Sequence, residues 1–239
     1  RARTGRLGAS DVVLTFDDAL RCQYDIAEPV LHDRGLTAFW FVYTSPIEGV
    51  YERLEIYHHF RFSQFPDIED YYAAFFDETR RMTDELGVDV DEGLSDGRWR
   101  GYKPESTFYT DDDRRFRYAR DFIFGADRYN AVMDAMMVTA GYDETKYVEL
   151  LWIKESEIKA LHDDGHIIGL HSHTHPTMLG ALDRDSQYAE YARCSEILDG
   201  ILGQKPTTVS YPCDSFNGDT ADIMRELGVD LGFRAYPIP

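Results

Sequence analysis

Apolar and polar positions follow one another along the chain in short blocks that predict alternating strands and helices. Residues 11–16 contain a short apolar run that stops at two acids, Asp17 and Asp18, and we interpret this run as a first strand. Residues 36–43 form a second run, apolar at seven of its eight positions, which is typical of a strand buried on both faces. Residues from about 24 to 33 between them are predicted to be helical, with a stop at Gly35 and a late start or a kink at Pro29.

The same helix–glycine–strand unit returns three times in the second half of the chain. Its predicted helices cover residues 155–164, 185–202 and 221–227, its glycines are Gly165, Gly203 and Gly228, and its predicted strands cover residues 166–170, 207–211 and 229–233. Alternation of this kind predicts parallel strands joined by right-handed crossovers, in an α/β sheet or barrel.

Residues 46–149 interrupt this rhythm with a stretch that is rich in aromatic side chains. A crossover between parallel strands needs only about a dozen residues, so most of this stretch is an insertion between the two barrel segments, 1–45 and 150–239. Its pieces at 68–86 and 126–140 are predicted to be helical. Two interpretations of the aromatic residues stay open: a small core of the insertion's own, which we favour, or rings that stack on a sugar.

We expect this insertion to form a separate, largely helical element beside the carboxyl ends of the strands. A hundred residues with so many aromatics must bury surface against something. The insertion would therefore lengthen one wall of a cleft or form a subunit interface in a homo-oligomer.

The chain carries a formal net charge of −19 at pH 7, which argues against nucleic acid or an anionic membrane surface as its main partner. The longest apolar run, 36–43, is far too short to span a membrane. The three cysteines show no CxxC spacing, so a disulfide framework is not expected. A reducing, cytoplasmic location is the resulting expectation.

Two blocks of polar residues follow predicted strands, at the ends that form the active face of parallel α/β folds. One is the acid pair Asp17–Asp18, and the other contains His171 and His175. Two imidazoles and a carboxylate, with one position left open, are a recurring catalytic zinc set. Separately, the acids are also typical of a helix cap and the histidines of a surface loop. Their joint position at strand ends favours function, and Pro176 favours a loop over a helical zinc motif.

The motifs Thr15-Phe-Asp-Asp18 and His171-Ser-x-x-His175 resemble the first two motifs of the polysaccharide deacetylase family, also known as the NodB-homology or carbohydrate esterase 4 family. The similarity covers residues 10–44 and 150–234. It implies a distorted (β/α) barrel that hydrolyses N- or O-acyl groups on sugars with one divalent metal. It also implies that Asp17 is the general base and that Asp18, His171 and His175 bind the metal. Zinc is expected, with nickel, cobalt or manganese as substitutes.

The chain departs from the family pattern at its third and last motifs. The third motif, usually Arg-x-Pro-Tyr, reads Ser210-Tyr-Pro-Cys213. The Cys213 backbone N–H is still expected to donate to the oxyanion. The arginine that would orient the base is missing, and Arg234 is a candidate substitute. No Leu-x-His follows, so the family's general-acid histidine has no counterpart, and we expect either further chain beyond Pro239 or an altered mechanism.

The leading hypothesis is a metal-dependent sugar N-deacylase in bacterial surface-polysaccharide biosynthesis. The alternatives are a non-sugar amidohydrolase of the same fold and an inactive carbohydrate-binding member. The negative charge of the chain disfavours a polyanionic glycan, and a long chitin-like polymer would prefer an open groove. A small N-acylated sugar or sugar nucleotide is therefore favoured. Four arginines of the insertion are candidates to grip a phosphate: Arg98, Arg100, Arg114 and Arg115.

Overall fold

The computed structural model describes residue 8 and residues 11–104 and 106–235. Its helices and strands follow in the order β1 (Thr15–Phe16), α1 (Arg21–Asp33), β2 (Phe39–Val42), α2 (Arg53–Gln64), α3 (Ile68–Arg81), α4 (Thr83–Leu86), α5 (Val90–Leu94), α6 (Asp111–Tyr118), α7 (Gly125–Thr139), α8 (Glu155–Asp163), β3 (Ile167–Leu170), α9 (Arg184–Leu202), β4 (Thr208–Ser210), α10 (Gly218–Glu226) and β5 (Leu231–Phe233). A π-helical stretch, Ala119–Phe124, joins α6 to α7.

The five strands form one parallel sheet in the order β1-β2-β3-β4-β5. The register pairs Phe39 with Thr15 on one side and with Ile167 on the other. The predicted α/β class and the distorted barrel are confirmed. The first strand is shorter than its apolar run predicts, because Val12 and Val13 are 85% and 47% exposed and precede the paired residues.

One face of the sheet is covered by helices and forms the main core. Trp40 and Val42 of β2 and Ile168 and Leu170 of β3 point to this face, and they pack with buried side chains of the helices: Leu31, Ile158, Leu161, Tyr191, Cys194, Leu198 and Ile223. Side chains alternate along a strand. The opposite face therefore carries Phe41, which contacts Phe233 of β5 with ring centroids 5.1 Å apart.

Each turn from a helix into the next strand contains a glycine with a positive φ. These are Gly35, Gly165, Gly203 and Gly228, at φ values of 61°, 90°, 72° and 80°. Glycine has no Cβ, so it adopts this left-handed conformation without the steric cost that other residues incur. The predicted helix stops at these four positions are confirmed.

The chain divides into two compact units, one made of Arg1–Glu52 and Val148–Pro239 and the other of Arg53–Tyr147. The sheet lies in the first. The second unit is helical, and its core is aromatic: the ring of buried Phe75 lies 4.8 Å from that of Phe116 and 6.1 Å from that of Tyr129. The interpretation that these aromatics form a core of the unit's own is confirmed.

The described part of the chain has no helix that is long and apolar enough to cross a membrane. All three cysteines are free thiols: Cys194, on α9, is buried, and Cys22 and Cys213 are exposed. Burial raises the pKa of the Cys194 thiol to about 12, so that side chain stays neutral.

Candidate active site

Backbone strain is concentrated in the three loops that follow β1, β3 and β4. Seven non-glycine residues of the described chain have a positive φ, and six of them lie in these loops: Asp18, Ala19, Ser172, His175, Cys213 and Asp214. Non-glycine residues in this region cost on the order of 1–3 kcal/mol each and persist only where their surroundings hold them. The sequence-predicted site residues are therefore held by specific contacts.

The first loop presents the two acids in a turn that is tied to a neighbouring segment. The Ile153 N–H donates to the Ala19 carbonyl at 3.0 Å, and the Arg21 N–H donates to the Leu151 carbonyl at 2.8 Å. The Gln23 side-chain amide, in the first turn of α1, donates to the Asp17 carbonyl at 2.7 Å. These bonds hold Asp18 at φ 75° and so set the direction of both carboxylates.

The second loop carries His171 directly after β3. Its ring is 2% exposed, and Nδ1 lies 2.8 Å from the Ser210 carbonyl oxygen. A carbonyl can only accept, so Nδ1 carries a proton and the neutral ring has its lone pair on Nε2. A backbone carbonyl of β4 thus prepares His171 to bind a metal through Nε2.

Asp18, His171 and His175 come together in one cluster, as the sequence predicts. Asp18 Oδ1 lies 3.2 Å from Nε2 of His171 and 3.2 Å from Nε2 of His175. This oxygen is buried and accepts no hydrogen bond within the described residues. Two ligands of a tetrahedral zinc ion, each about 2.1 Å from it, are about 3.4 Å apart. The spacing and the donor set therefore fit a divalent metal.

The electrostatics of the two acids differ although they are adjacent. Burial raises the pKa of Asp18, but the two imidazoles beside Oδ1 outweigh burial and hold that pKa well below its usual value. For Asp17 burial dominates and raises the pKa, while His171 and Ser210 offset part of the shift. Asp18 is therefore ionised as a metal ligand must be, and Asp17 is the better proton acceptor.

Ser210, the last residue of β4, contacts both halves of the site. Its hydroxyl donates to Asp17 Oδ2 at 3.0 Å, while its carbonyl accepts from His171 Nδ1. This serine stands where the third family motif has arginine, and a neutral hydroxyl therefore replaces a cation beside the base. The sequence analysis missed this role, although the predicted strand 207–211 places Ser210 at a strand end.

Arg234 does not orient Asp17, and that prediction is wrong. Its guanidinium Nη2 lies 3.2 Å from Asp214 Oδ2, and its Cζ lies 4.8 Å from the centroid of the Phe216 ring. Asp214 lies in the loop after β4, and Arg234 directly follows β5. The arginine therefore ties the end of β5 to the loop after β4.

Cys213 lies in that same loop, with φ 52° and ψ 24°. The neighbouring Asp214 N–H donates to the Tyr211 carbonyl at 3.0 Å, which closes the turn. Cys213 is thus brought to the edge of the sheet that carries Ser210, and the role of its N–H as an oxyanion donor stays a prediction.

The remaining candidates have other partners. His173 Nδ1 lies 2.9 Å from Thr44 Oγ1, and its Nε2 lies 3.4 Å from Glu48 Oε2, so the ring is engaged outside the metal cluster. The four arginines of the second unit contact groups of that unit: Arg98 pairs with Asp96, Arg100 lies over Trp99, Arg114 donates to the carbonyls of Tyr102, Lys103 and Ser106, and Arg115 pairs with Asp112.

Comparison with known sequences supports the resemblance that the motifs indicate. The model of the polysaccharide deacetylase family matches residues 126–232. The match includes the histidine motif and Ser210–Cys213, whereas Asp17 and Asp18 lie outside it. No curated protein matches the chain.

Three solved structures illustrate the relationship in fold. The BpsB deacetylase domain from Bordetella bronchiseptica has a TM-score of 0.51 at 13% identity, covering 99% of this chain and 69% of that chain. IcaB from Ammonifex degensii has a TM-score of 0.49 at 16% identity, covering 96% and 63%. The deacetylase PplD of Streptococcus pyogenes, in complex with acetate, has a TM-score of 0.48 at 15% identity, covering 95% and 57%. The chain thus spans less than two thirds of the length of IcaB and PplD, and it shares its fold with the BpsB domain.

Proposed function

We propose that this chain, which matches the polysaccharide deacetylase family model over residues 126–232, is a metal-dependent hydrolase that removes the N-acyl group of an amino sugar. In this proposal one divalent metal binds to Asp18, His171 and His175. Asp17 is the general base, and the reaction converts an amide and water into a carboxylate and a free amine.

One observation carries the proposal. Three ligand atoms from two strained loops converge on one point, with both imidazole Nε2 atoms 3.2 Å from a buried carboxylate oxygen that has no hydrogen bond in the described chain. A turn or surface loop has no need to bury an ionised carboxylate in this way, because such burial is unfavourable without a compensating charge. A cation at this point supplies that charge.

The residues around the cluster have complementary roles in this proposal. Bound there, a divalent cation supplies Lewis-acid activation of water and of the carbonyl under attack. Asp17 accepts the proton of the attacking water, because burial raises its pKa toward the value of a useful base. The Ser210 hydroxyl holds one Asp17 oxygen, and the other is assigned to accept the proton. The Cys213 N–H is assigned to the oxyanion.

The substrate class follows from charge and from the reaction. At a net charge of −19 the protein repels polyanionic glycans, which favours a neutral or small acylated sugar. We propose an N-acylated sugar or sugar nucleotide, with a role in bacterial surface-polysaccharide biosynthesis. A cytoplasmic location is part of the same proposal.

The experiment is an assay of acetate and formate release with zinc present. N-acylated sugar nucleotides and chito-oligosaccharides are the substrates, and the Asp17→Asn variant is the matched control for contaminating activity. The proposal expects release that Asp17→Asn loses. Activity only on long oligosaccharides would overturn the small-substrate class, and no release from metal-loaded protein would favour a carbohydrate-binding role.

A further inference from the structure

The loop 171–176 supplies two of the three proposed metal ligands, and its backbone is strained. Ser172 has a φ of 66° and His175 has a φ of 59°, although neither is glycine. Within the loop, the His175 N–H donates to the Ser172 hydroxyl at 3.1 Å. A single internal bond of this kind contributes only about 1 kcal/mol, which is less than two strained residues cost. Contacts from outside the loop must therefore hold it.

Glu190, on the long helix α9, makes the most extensive of these contacts. Its Oε2 accepts from the backbone N–H of His173 at 2.9 Å and of Thr174 at 2.7 Å. Its Oε1 accepts from the Thr174 hydroxyl at 2.7 Å. Three donors of two consecutive residues are thus held by one carboxylate, in bonds that a negative charge strengthens.

The chain after β2 holds the same part of the loop from its other side. The N–H groups of Thr44 and Ser45 donate to the His173 carbonyl at 3.2 and 2.8 Å. The peptide groups at the centre of the loop are therefore fixed by donors from one direction and by the Glu190 carboxylate from another. Helix α9 is itself rigidly placed, because Tyr191 and Cys194 next to Glu190 are fully buried in the main core.

We propose that Glu190 is a positioning residue that holds loop 171–176 in the geometry needed for metal binding, so that metal affinity depends on it. The inference rests on the proposed function, since it takes His171 and His175 as ligands. Glu190 is not among the cluster's ligand atoms and acts only through the loop backbone. Its role is separate from the Ser210 contact, which acts on the His171 ring and on Asp17.

Two variants of Glu190 and one control distinguish the effect of side-chain length from the effect of charge. Glu190→Gln keeps the length of the side chain but replaces one acceptor by a donor. Glu190→Asp keeps the charge but shortens the side chain by one carbon–carbon bond, about 1.5 Å, so the carboxylate no longer reaches the N–H groups of His173 and Thr174. Asp199→Asn is the matched control, since it removes one acidic charge from the same helix at a side chain that makes no hydrogen bond or ion pair with the described residues.

The measurement is the zinc affinity of the chain, determined by competition with a chromogenic chelator. We expect Glu190→Asp to bind zinc about 10-fold more weakly, the lower end of the range seen when groups supporting metal ligands are removed. Glu190→Gln should lose less, because its amide oxygen still accepts from the two N–H groups that bond to Oε2. Asp199→Asn should bind as the unchanged protein does. Unchanged affinity in Glu190→Asp, with or without a loss in Glu190→Gln, would overturn the proposal in favour of a charge effect or no effect.

A second measurement, without metal, keeps this inference distinct from the proposed function. Hydrogen exchange at the amides of His173 and Thr174 should be faster in Glu190→Asp than in Asp199→Asn, because the shortened carboxylate no longer reaches these amides. Equal exchange would overturn the proposal even if zinc binds. Conversely, if the unchanged protein binds no zinc, or binds it equally well after His171→Ala, the proposed function itself fails and the role in metal affinity fails with it.

Discussion

The left-handed backbone conformation is occupied by different residue types at the two ends of the parallel sheet. Where helices lead into strands, glycine occupies it at Gly35, Gly165, Gly203 and Gly228. Where strands lead into the following loops, six residues with side chains occupy it, among them Asp18 and His175. The glycine turns need only reverse the chain, whereas the strained loops include Asp18 and His175, two of the proposed metal ligands. The difference shows that strain is tolerated where a particular side chain is required.

The carboxyl ends of the strands, where the strained loops begin, also have hydrogen bonds between side chains and the backbone or the acids. Gln23 supports the Asp17 carbonyl, Ser210 supports Asp17 and His171, and Glu190 supports the loop between the histidines. These bonds offset the strain and orient the proposed ligands. Preorganisation of this kind is what a positioned catalytic site requires.

The largest expected effect concerns the chemistry at the strained end. Asp17→Asn is nearly isosteric and should keep the fold and the metal, because Asp17 is not in the ligand cluster. Turnover should fall by about 10²-fold or more, since a positioned general base is lost. Initial rates of acyl release and zinc content, measured on the same preparations, check this. A near-normal rate would assign Asp17 another role.

The next largest effect comes from the close packing around Gly169 and not from a positive φ. A Cβ on Gly169, in the middle of β3, would lie 2.6 Å from the Phe41 ring and 2.5 Å from Thr208 Oγ1. Gly169→Ala should therefore reduce the free energy of unfolding by about 1–3 kcal/mol, the usual range for overpacking. Denaturant unfolding measures it. A loss below 0.5 kcal/mol, on the order of a surface substitution, would show that the strands separate more easily than this packing indicates.

The glycine end of the comparison is tested by a pair of substitutions on α9. Gly203 has φ 72° and Gly200 lies within the helix, and neither has a heavy atom within 4 Å of a new Cβ. Gly203→Ala should destabilise the protein by about 1 kcal/mol through backbone strain alone. Gly200→Ala should stabilise it by about 0.5–1 kcal/mol through helix propensity. Changes of the same sign in the two variants would contradict the backbone argument.

The smallest expected effect is a pH dependence at the glycine end of β3. His166 is buried, and its Nδ1 accepts from the Ala38 N–H at 3.0 Å. Burial lowers the pKa of His166 below its usual value of 6.5. The folded state thus favours the neutral ring. The stability that this preference contributes is complete above pH 6.5, the usual pKa, and is lost as the pH falls from there through the lowered pKa of the folded state.

The measurement for His166 compares free energies of unfolding at pH 7.5 and pH 5, on the order of one unit either side of the ordinary histidine range. His166→Asn keeps an acceptor near the Nδ1 position and should lose less stability at low pH than the unchanged protein. His162→Gln, at a partly exposed residue of α8, is the control. An identical pH dependence in His166→Asn would show that other groups cause it.

Much of the fold and the ligand set could be predicted from local sequence, for a physical reason. Helix stops at glycine and apolar runs are local signals, and the ligands Asp18, His171 and His175 lie at strand ends that topology brings to one edge. Their convergence agrees with that prediction, while their roles stay predictions.

The supporting contacts could not be predicted in the same way. Ser210 and Asp17 are 193 positions apart, and a serine at the end of a strand has no local feature that marks it as a partner. Arg234 has a long side chain with Asp17 and Asp214 as alternative acidic partners, and only the arrangement of loops decides for Asp214. Strain is likewise invisible in the sequence, because serine and histidine seldom adopt positive φ.

The most direct test of the central claim is the zinc content and zinc affinity of the purified chain. The account predicts about one bound equivalent, since the cluster provides one three-residue site. Asp18→Asn and His171→Ala should each abolish stoichiometric binding while the apo proteins stay folded, and His162→Gln should bind normally. A full equivalent retained by a variant that lacks both Asp18 and His171, or no binding by the unchanged protein, would contradict the account.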